Sequence, residues 1–374
     1  MPKIVLVHDF LAEYGGAERV VEALHELFPE APLFVAFADL RNFGSKKAVF
    51  EAMDIRTTWL QYIPGVAKLR SPLRLFAPSA FAHLDLSEYD IVISSSNAYH
   101  AKSVRVPNGT HFCYCHTPPR SLYGYDAASS WKKNPLIKAG GQIINHFLRQ
   151  TDFAAAQNID QIIVNSETVA KRVKKYWRRS STVIYPPVAF VDQNKDNKIT
   201  PAQDRSYFLF VNRLNFAKHP ELAVQACLDL DLPLKVVGTG PMLEELKEMV
   251  ANQKGKKIEF LGSVSDRKLA QLYSHAQALL YPVIDEDFGI VPIEAMAFGT
   301  PVLAHYSGGP TETIIEGKTG LFFKRLDLAS LKQTIEKFQE SSFNGKVIAA
   351  HVQRFSVKNF DKKIMDLIKE HVKN

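Results

Sequence analysis

Two successive series of short apolar strands alternating with helical segments, divided by a polar joint, predict an α/β chain of two doubly wound, Rossmann-like units facing a central cleft. Three observations carry this. The strand candidates are unalternating β-branched runs, as parallel strands covered on both faces require. The 374 residues accommodate two domains of ordinary size. The stretch 191–205 is polar and charged, poor in large apolar groups, and reads as a linker between a first domain over 1–190 and a second over 206–350.

The first series opens with Lys3-Ile-Val-Leu-Val-His8. Gly15 and Gly16 follow, then a helical segment in which Val20, Leu24, Leu27 and Phe28 form one apolar stripe closed by Pro29. Further strands are predicted over 33–37, 55–59, 91–94, 112–115, 161–165 and 182–185. The segment 123–158 reads as helices with a Lys/Arg-rich beginning, and Pro186-Pro187 ends the series. The second series has strands over 207–211, 234–237, 258–261, 278–282, 301–304 and 320–323, with helices over 219–228, 242–250, 266–275 and 292–298. In the tail, 351–374, Ser356 is a plausible cap for a helix whose stripe is Phe360, Ile364, Leu367, Ile368 and Val372. That stripe needs an apolar partner, but periodicity does not choose which unit supplies it.

Hydrophobic residues at 46% and charged residues at 23% permit a sizeable core and exclude whole-chain disorder. Lys and Arg number 46 against 39 Asp and Glu, a formal charge of +7. This suits an anionic partner but is far from a nucleic-acid tail. Three cysteines exclude a disulfide scaffold and favour a reducing, cytoplasmic setting. The first apolar run is too short for a signal peptide, and no run approaches the roughly 18 residues of a spanning helix. A soluble or membrane-peripheral protein is therefore expected.

Glycine and charge placement mark the candidate chemistry. Gly15-Gly16 between the first strand and its helix lets a ligand approach the backbone and offers helix-terminal N–H groups to an anion, although a plain tight turn has the same spelling. Neither a dinucleotide fingerprint nor a Walker A sequence is present. Gly238-Thr239-Gly240 ends the second strand of the second domain. Asn212, Arg213 and Lys218 follow its first strand, and the two cations can share one diphosphate, the Arg as a fork and the Lys as a point charge. Glu286 belongs to a loop and Glu294 to what reads as the first turn of the helix opened by Pro292, giving two acceptors for hydroxyl groups set apart on one ligand. For Glu294 the alternative is favourable placement near a positive helix end, worth about 0.3–1 kcal/mol.

Other polar residues are weaker candidates. His116 closes the strand before Thr117-Pro118-Pro119-Arg120, and His8 closes the first strand, both where this architecture binds ligands. His111, Cys113 and Cys115 share a strand face, but nothing nearby completes a zinc set, so packing is expected. The Asp-x-Asp patterns at 229–231 and 285–287 are discounted, and no metal or cofactor is expected. Asn97, His100, Lys102 and Arg105 read as a solvated loop, with service to an acceptor substrate as the alternative. Lys171, Arg172, Lys174, Lys175, Arg178 and Arg179 surround Val173, Tyr176 and Trp177, a pattern suited either to an anionic membrane surface or to a solvated helix face. Nucleic-acid docking motifs are absent, as are the G-x-S-x-G and H-E-x-x-H hydrolase patterns.

Taken in order, four motifs resemble glycosyltransferase family 4, the retaining nucleotide-sugar transferases of GT-B fold, over essentially the whole chain. They are His8-Asp9 with Tyr14-Gly15-Gly16-Ala17-Glu18, Asn212-Arg213-Leu-Asn-Phe-Ala-Lys218, Gly238-Thr-Gly240-Pro241, and Glu286-Asp-Phe288-Gly289-Ile290-Val-Pro-Ile-Glu294 running to Gly299-Thr-Pro301. Asn212 departs from the family's usual Gly. The resemblance implies that Arg213 and Lys218 hold the donor diphosphate, Glu294 the ribose, and Glu286 with the Phe288-Gly289 backbone the hexose. It places Gly16 beside the diphosphate or sugar, makes His116 the histidine of the catalytic face, and returns the last helix to the first domain.

Cys113-Tyr-Cys115-His116-Thr-Pro-Pro-Arg120 with Tyr123 further resembles bacterial O-antigen and polysaccharide mannosyltransferases. That makes GDP-mannose the leading donor, with a UDP-hexose as alternative, and a lipid-linked saccharide or oligosaccharide the acceptor, contacted weakly by His8, Arg120 and Tyr123. A catalytically inactive nucleotide-sugar-binding protein of the same fold is the alternative of another class.

Overall fold

A computed structural model describes residues 2–124, 135–194, 199–251 and 257–372, the side chains of 135–140 and 372 excepted. The Lys/Arg-rich beginning of the predicted 123–158 helical stretch lies outside the described residues. The chain divides into two compact units, one of residues 1–187 with 358–374 and the other of residues 188–357.

The first unit is built on a seven-stranded sheet of order β3-β2-β1-β4-β5-β6-β7. Its strands are β1 (Ile4–His8), β2 (Leu33–Val35), β3 (Ile55–Thr57), β4 (Ile91–Ser96), β5 (Thr110–Cys115), β6 (Gln161–Val164) and β7 (Thr182–Val183). All neighbours are parallel. The β-branched runs of β1 and β4 lie buried, as strands covered on both faces must be. The order reverses direction at the β1/β4 boundary, where register pairs His8 with Ser95, and β4 pairs Ser95 with Tyr114 of β5. The carboxyl ends of these three strands therefore come together at the switch point where such sheets bind ligands.

The second unit repeats the plan with six parallel strands, order β10-β9-β8-β11-β12-β13. They are β8 (Tyr207–Val211), β9 (Leu234–Val237), β10 (Ile258–Gly262), β11 (Ala276–Tyr281), β12 (Val302–His305) and β13 (Gly320–Phe323). Its switch lies between β8 and β11, so Asn212–Lys218 and the loop after Tyr281 leave adjacent strand ends.

Two boundaries differ from the sequence reading. The first unit ends at Pro187 rather than at 190, and the expected linker is part of the second unit. Ala189–Gln193 is helical, and Asp192 accepts a hydrogen bond from the Val357 N–H at 2.8 Å. The Arg205 guanidinium is buried, donating to the carbonyls of Ala276 and Phe298 at 2.8 Å each. At its two ends the stretch is therefore hydrogen-bonded into the second unit, while residues 201–204 are exposed. The tail also divides: residues up to Val357 pack in the second unit, and the helix Val357–Val372 lays Phe360, Ile364, Leu367 and Ile368 into the core of the first. The Phe360 ring lies edge-on to Tyr114, 6.0 Å between centroids.

Truncating this anchor, Phe360→Ala, is expected to cost the first unit about 3–5 kcal/mol. Urea unfolding followed by tryptophan fluorescence measures it.

Candidate active site

In the first unit the switch point carries a chain of polar side chains. His116, buried just past β5, has its Nε2 2.8 Å from Ser95 Oγ. The same hydroxyl lies 3.0 Å from His8 Nδ1, which is also 3.1 Å from the Ser95 carbonyl oxygen. On the far side of its ring, His8 Nε2 faces Glu18 Oε1 at 3.5 Å. Glu18 is itself held by the helix start, accepting from the Gly15 N–H at 2.9 Å, and Gly16 begins the helix Gly16–Leu27. A carbonyl only accepts, so His8 carries a proton on Nδ1. The Ser95 hydroxyl is then free to donate to His116 Nε2, which leaves the His116 proton on Nδ1.

The electrostatics agree. Burial works against a charged His8 ring, but Glu18, Asp9 and the Ser95 carbonyl outweigh it and raise the His8 pKa. His116 is driven the other way, to about 3, by burial and by the neighbouring His8. One ring is set to hold a cation and the other to stay neutral. Asp9 acts on the backbone instead. Its carboxylate accepts from the N–H groups of Asn97, Tyr99 and Ala101 at 2.8–2.9 Å, fixing the loop after β4.

The remaining first-unit candidates move inward. Tyr123, expected at the acceptor, commits its hydroxyl to Asp152 at 2.6 Å. His100 and Lys102, expected in a solvated loop, are buried. Lys102 Nζ lies 2.7 Å from Asp152 Oδ1 and 4.9 Å from the Trp177 ring centroid, and Trp177 Nε1 donates to Asp152 at 2.6 Å. A buried cation survives only with such partners. Arg120 opens a short 3₁₀ turn, Arg120–Leu122.

The basic cluster divides as well. Arg172 is buried and donates to Thr117 Oγ1 at 3.1 Å. Arg179 caps the carbonyls of Ala156, Gln157 and Ile159 at 2.7–3.0 Å. Trp177 is inside the core, and Tyr176 stacks on Tyr123 with centroids 4.1 Å apart. Lys171, Lys174, Lys175 and Arg178 alone face outward, so the aromatic component of the expected lipid-facing pattern is spent on packing.

His111 and the cysteines pack as expected. His111 Nε2 meets Ser94 Oγ at 2.8 Å, and Cys113 and Cys115 are buried free thiols. Among the described residues no group of three or more His, Cys, Asp or Glu side chains is placed to hold a metal. Asp229 and Asp231 pair with Lys332 and Lys257.

In the second unit the candidates gather on the β8 and β11 ends. Lys218, closing the 3₁₀ turn Phe216–Lys218, forms an ion pair and hydrogen bond with Glu286. Tyr281, the last residue of β11, donates to Glu286 Oε2 at 3.2 Å. Burial, then Glu286 and Glu294, raise the Tyr281 pKa well above the ordinary phenol value, with Asn212 acting in the opposite sense. Arg213 is exposed on the same loop.

The helix after this loop is Ile290–Ala297, preceded by Phe288 and Gly289. Glu294 therefore sits in its second turn, not its first, buried and accepting from the Tyr273 hydroxyl at 2.8 Å. Placement at a helix end does not explain a carboxylate there.

The glycines of this unit have a packing reason. A Cβ on Gly238, at φ +130°, would fall 1.9 Å from the Asn212 carbonyl oxygen, and one on Gly240 2.3 Å from that of Leu214. The Gly238-Thr239-Gly240 turn exists so that it can press on the Arg213 loop. The sequence reading missed Gly308-Gly309, which presses equally on Glu286 and Phe288 from the other side, with the Gly309 N–H donating to the Glu286 carbonyl at 2.8 Å. Its spelling, Ser307-Gly-Gly-Pro310 after a strand, was the available signal. Ser95, Tyr273 and Tyr281 carried none, being ordinary residues inside strands or a helix.

Known proteins supply the class. Residues 14–190 match the family model described as Glycosyltransferase Family 4, and residues 191–369 that described as Glycosyl transferases group 1. The chain is 26% identical over 370 residues to alpha-1,3/1,6-mannosyltransferase ALG2 of Candida glabrata, covering 84% of this chain and 78% of that protein. It is 31% identical over 207 residues to human ALG2, covering 48% and 50%. Among solved structures it resembles sucrose-phosphate synthase from Thermosynechococcus elongatus (TM-score 0.74, 22% identity, 98% of each chain). It also resembles Anabaena HepE in complex with UDP (TM-score 0.68, 18% identity, 98% and 100%). Two parallel-sheet units with these neighbours define a glycosyltransferase of GT-B fold. The chain belongs to glycosyltransferase family 4.

Two outcomes follow from the first-unit geometry. Burial holds His100, His111 and His116 neutral, with pKa values of about 3, about 4 and about 3, the charge of Lys102 adding to the effect at His100 and that of His8 at His116. Their folded values lie below the unfolded value near 6.5, so their contribution is present above that pH and drains as pH falls toward 4. Unfolding there takes up about three protons, a slope of about 4 kcal/mol per pH unit, while His8 is charged in both states and adds nothing. His111→Gln should remove about one proton from that slope, read by urea titrations at a series of acidic pH values. In Ser95→Ala, loss of the bridging hydroxyl should convert His116 from a single Nδ1–H tautomer to a mixture, visible in nitrogen–proton correlation spectra, with a stability loss of about 1–3 kcal/mol.

Proposed function

We propose that this family 4 enzyme is a retaining transferase that moves a hexose from a nucleoside diphosphate to a lipid-linked saccharide or oligosaccharide acceptor, with GDP-mannose as donor. The observation that carries the reading is the arrangement after β8 and β11. There Lys218 is already held against Glu286, Tyr281 donates to the same carboxylate, and Arg213 stands on the same loop. Charge grows on the departing diphosphate as the sugar leaves, and a fixed cation aimed at that charge lowers the barrier. Arg213 and Lys218 supply this without a metal. Glu294, buried against Tyr273, is suited to accept from ribose hydroxyls, and Glu286 with the Phe288-Gly289 backbone to position the hexose.

Retention follows from the same assignments. A double displacement needs a carboxylate free to attack the anomeric carbon, whereas Glu286 is engaged by Lys218 and Tyr281. Front-face substitution, with the leaving oxygen taking the acceptor proton, fits better. In the first unit, neutral His116 at the strand ends is the candidate hydrogen-bond donor to a saccharide. Mannose is favoured by the mannosyltransferase names of the relatives, and a UDP-hexose is the second reading because a neighbour of the same fold carries UDP. The acceptor would be met at the inner face of the cytoplasmic membrane.

The test is transfer from a panel of GDP- and UDP-sugars, with product NMR. An α-linked product from the α-linked donor is expected, and Arg213→Ala or Lys218→Ala should lower kcat by about 10²–10³. A β-linked product would refute retention. Donor binding without turnover on any acceptor or water would favour an inactive nucleotide-sugar-binding protein.

A further inference from the structure

In the basic cluster at 171–179 Trp177 is in the core and Tyr176 is half-buried against Tyr123, yet a different face of the first unit combines exposed aromatic rings with cations. From Ile55 to Leu84 the sequence contains Arg56, Lys68, Arg70 and Arg74 and not one Asp or Glu. Within it the 3₁₀ turn Trp59–Tyr62 and the helix Arg70–Leu73 alternate between two directions. Leu60, Val66, Leu73 and Ala77 enter the core. Tyr62 is 83% exposed, Phe76 49%, Trp59 45% and Leu69 44%, with Leu75 beside them in sequence at 39%. The Trp59 and Phe76 rings meet edge-on, 6.5 Å between centroids.

The platform is fixed rather than frayed. Thr58 Oγ1 donates to the Ala36 carbonyl at 2.8 Å and accepts from the Leu60 N–H. Arg74 donates to Ser121 Oγ at 2.7 Å and to Asn145 Oδ1 at 2.8 Å. The latter bond ties the platform to the helix Pro135–Gln157, which exposes a second apolar strip of Ile143, Ile144 and Phe147.

We propose that the 59–76 platform is the surface by which the protein docks on an anionic lipid bilayer. Large apolar side chains gathered outward in one segment signify a partner. Trp and Tyr beside Leu, Phe and cations are the side chains that settle at the headgroup level, rings in the interface and Lys or Arg toward phosphate. Charge selects the occupant. A second copy of this chain would set Lys68 and Arg70 against their like, with no carboxylate in the segment to answer them. A bilayer carrying anionic headgroups answers them directly. Arg70 has a long ion-pair contact with Glu13, 3.9 Å, while Arg56 is already paired with Asp54 at 2.8 Å and is not part of the docking set. The choice of a membrane deepens the reading of a lipid-linked acceptor and rests on it for its biological sense; the surface itself stands on these side chains.

The experiment is co-sedimentation of the full chain with vesicles of phosphatidylcholine alone or mixed with phosphatidylglycerol, at low and high salt. Binding to the mixed vesicles that falls with salt is expected. Tyr62→Ser with Phe76→Ser should lower partitioning about tenfold or more on both salt settings, because the lost area is apolar. Lys68→Gln with Arg70→Gln should lower it about fivefold per charge, on the anionic vesicles only. Lys171→Gln with Lys174→Gln and Lys175→Gln should leave it unchanged. Thermal melts confirm that each variant is folded.

The proposal is overturned if the wild type ignores anionic vesicles at low salt, if the Lys171 set abolishes binding while the platform variants bind normally, or if the platform variants instead dissolve a dimer seen without lipid. Donor turnover is measured in parallel without vesicles. Vesicle binding with no turnover sinks the transferase reading and leaves the surface standing; turnover on a water-soluble acceptor with no vesicle binding does the reverse.

Discussion

A parallel sheet covered on both faces can place few polar side chains along its strands, so the chemistry of such a unit is confined to the strand ends. Both units of this protein obey that constraint. In the first, β1 is apolar up to His8 and β4 up to its closing serines; His8, Ser95 and His116 meet at the strand ends, and the polar pair inside the sheet, Ser94 and His111, bond to each other. In the second, β8 and β11 run buried to Val211 and Tyr281, and the next residues are Asn212, Arg213 and, across the switch, the Glu286 loop. The sheets supply rigidity, and the loops only need to hold short spans from fixed starting points.

Each of those spans is held by an identifiable means. Asp9 gathers three N–H groups of the loop after β4. The Gly238 and Gly240 turn leans on Asn212 and Leu214, and Gly308-Gly309 leans on Glu286 and Phe288, at separations that no side chain would allow. The glycine motifs of the second unit thus have a structural cause that is complete without a ligand. Their effect on function is indirect: they set where Arg213, Lys218 and Glu286 stand.

The interior of the first unit contains a second polar centre that has no place in the transfer chemistry. Lys102, His100, Tyr123 and Trp177 converge on Asp152. The Asp152 carboxylate accepts from Tyr123 and Trp177 and faces the Lys102 cation at 2.7 Å, the opposite charge that an ion buried this deeply requires. This centre joins the loop after β4 to the helices Pro135–Gln157 and Glu167–Trp177. It also takes in residues that sequence alone would leave at the surface, His100 and Lys102 among them.

The two-unit α/β plan, the strands, the tail helix and the polar residues that gather after β8 and β11 were legible in the sequence, because these depend on local periodicity and on motifs contiguous in the chain. Arg213, Lys218, Glu286 and Glu294 all lie in such motifs. The partnerships were legible only in the folded chain. Ser95 bridges His8 and His116 from positions 87 and 21 residues away. Tyr281 donates to Glu286 and Tyr273 to Glu294, and Lys102 finds its aspartate on a distant helix. Folding also turns Arg172, Trp177 and Tyr123 inward while Trp59, Tyr62 and Phe76 turn outward. Composition gives a residue's tendency to be buried, but whether a given cation or ring is buried depends on whether the fold brings a hydrogen-bonding or apolar partner to meet it, and those partners come from distant parts of the chain.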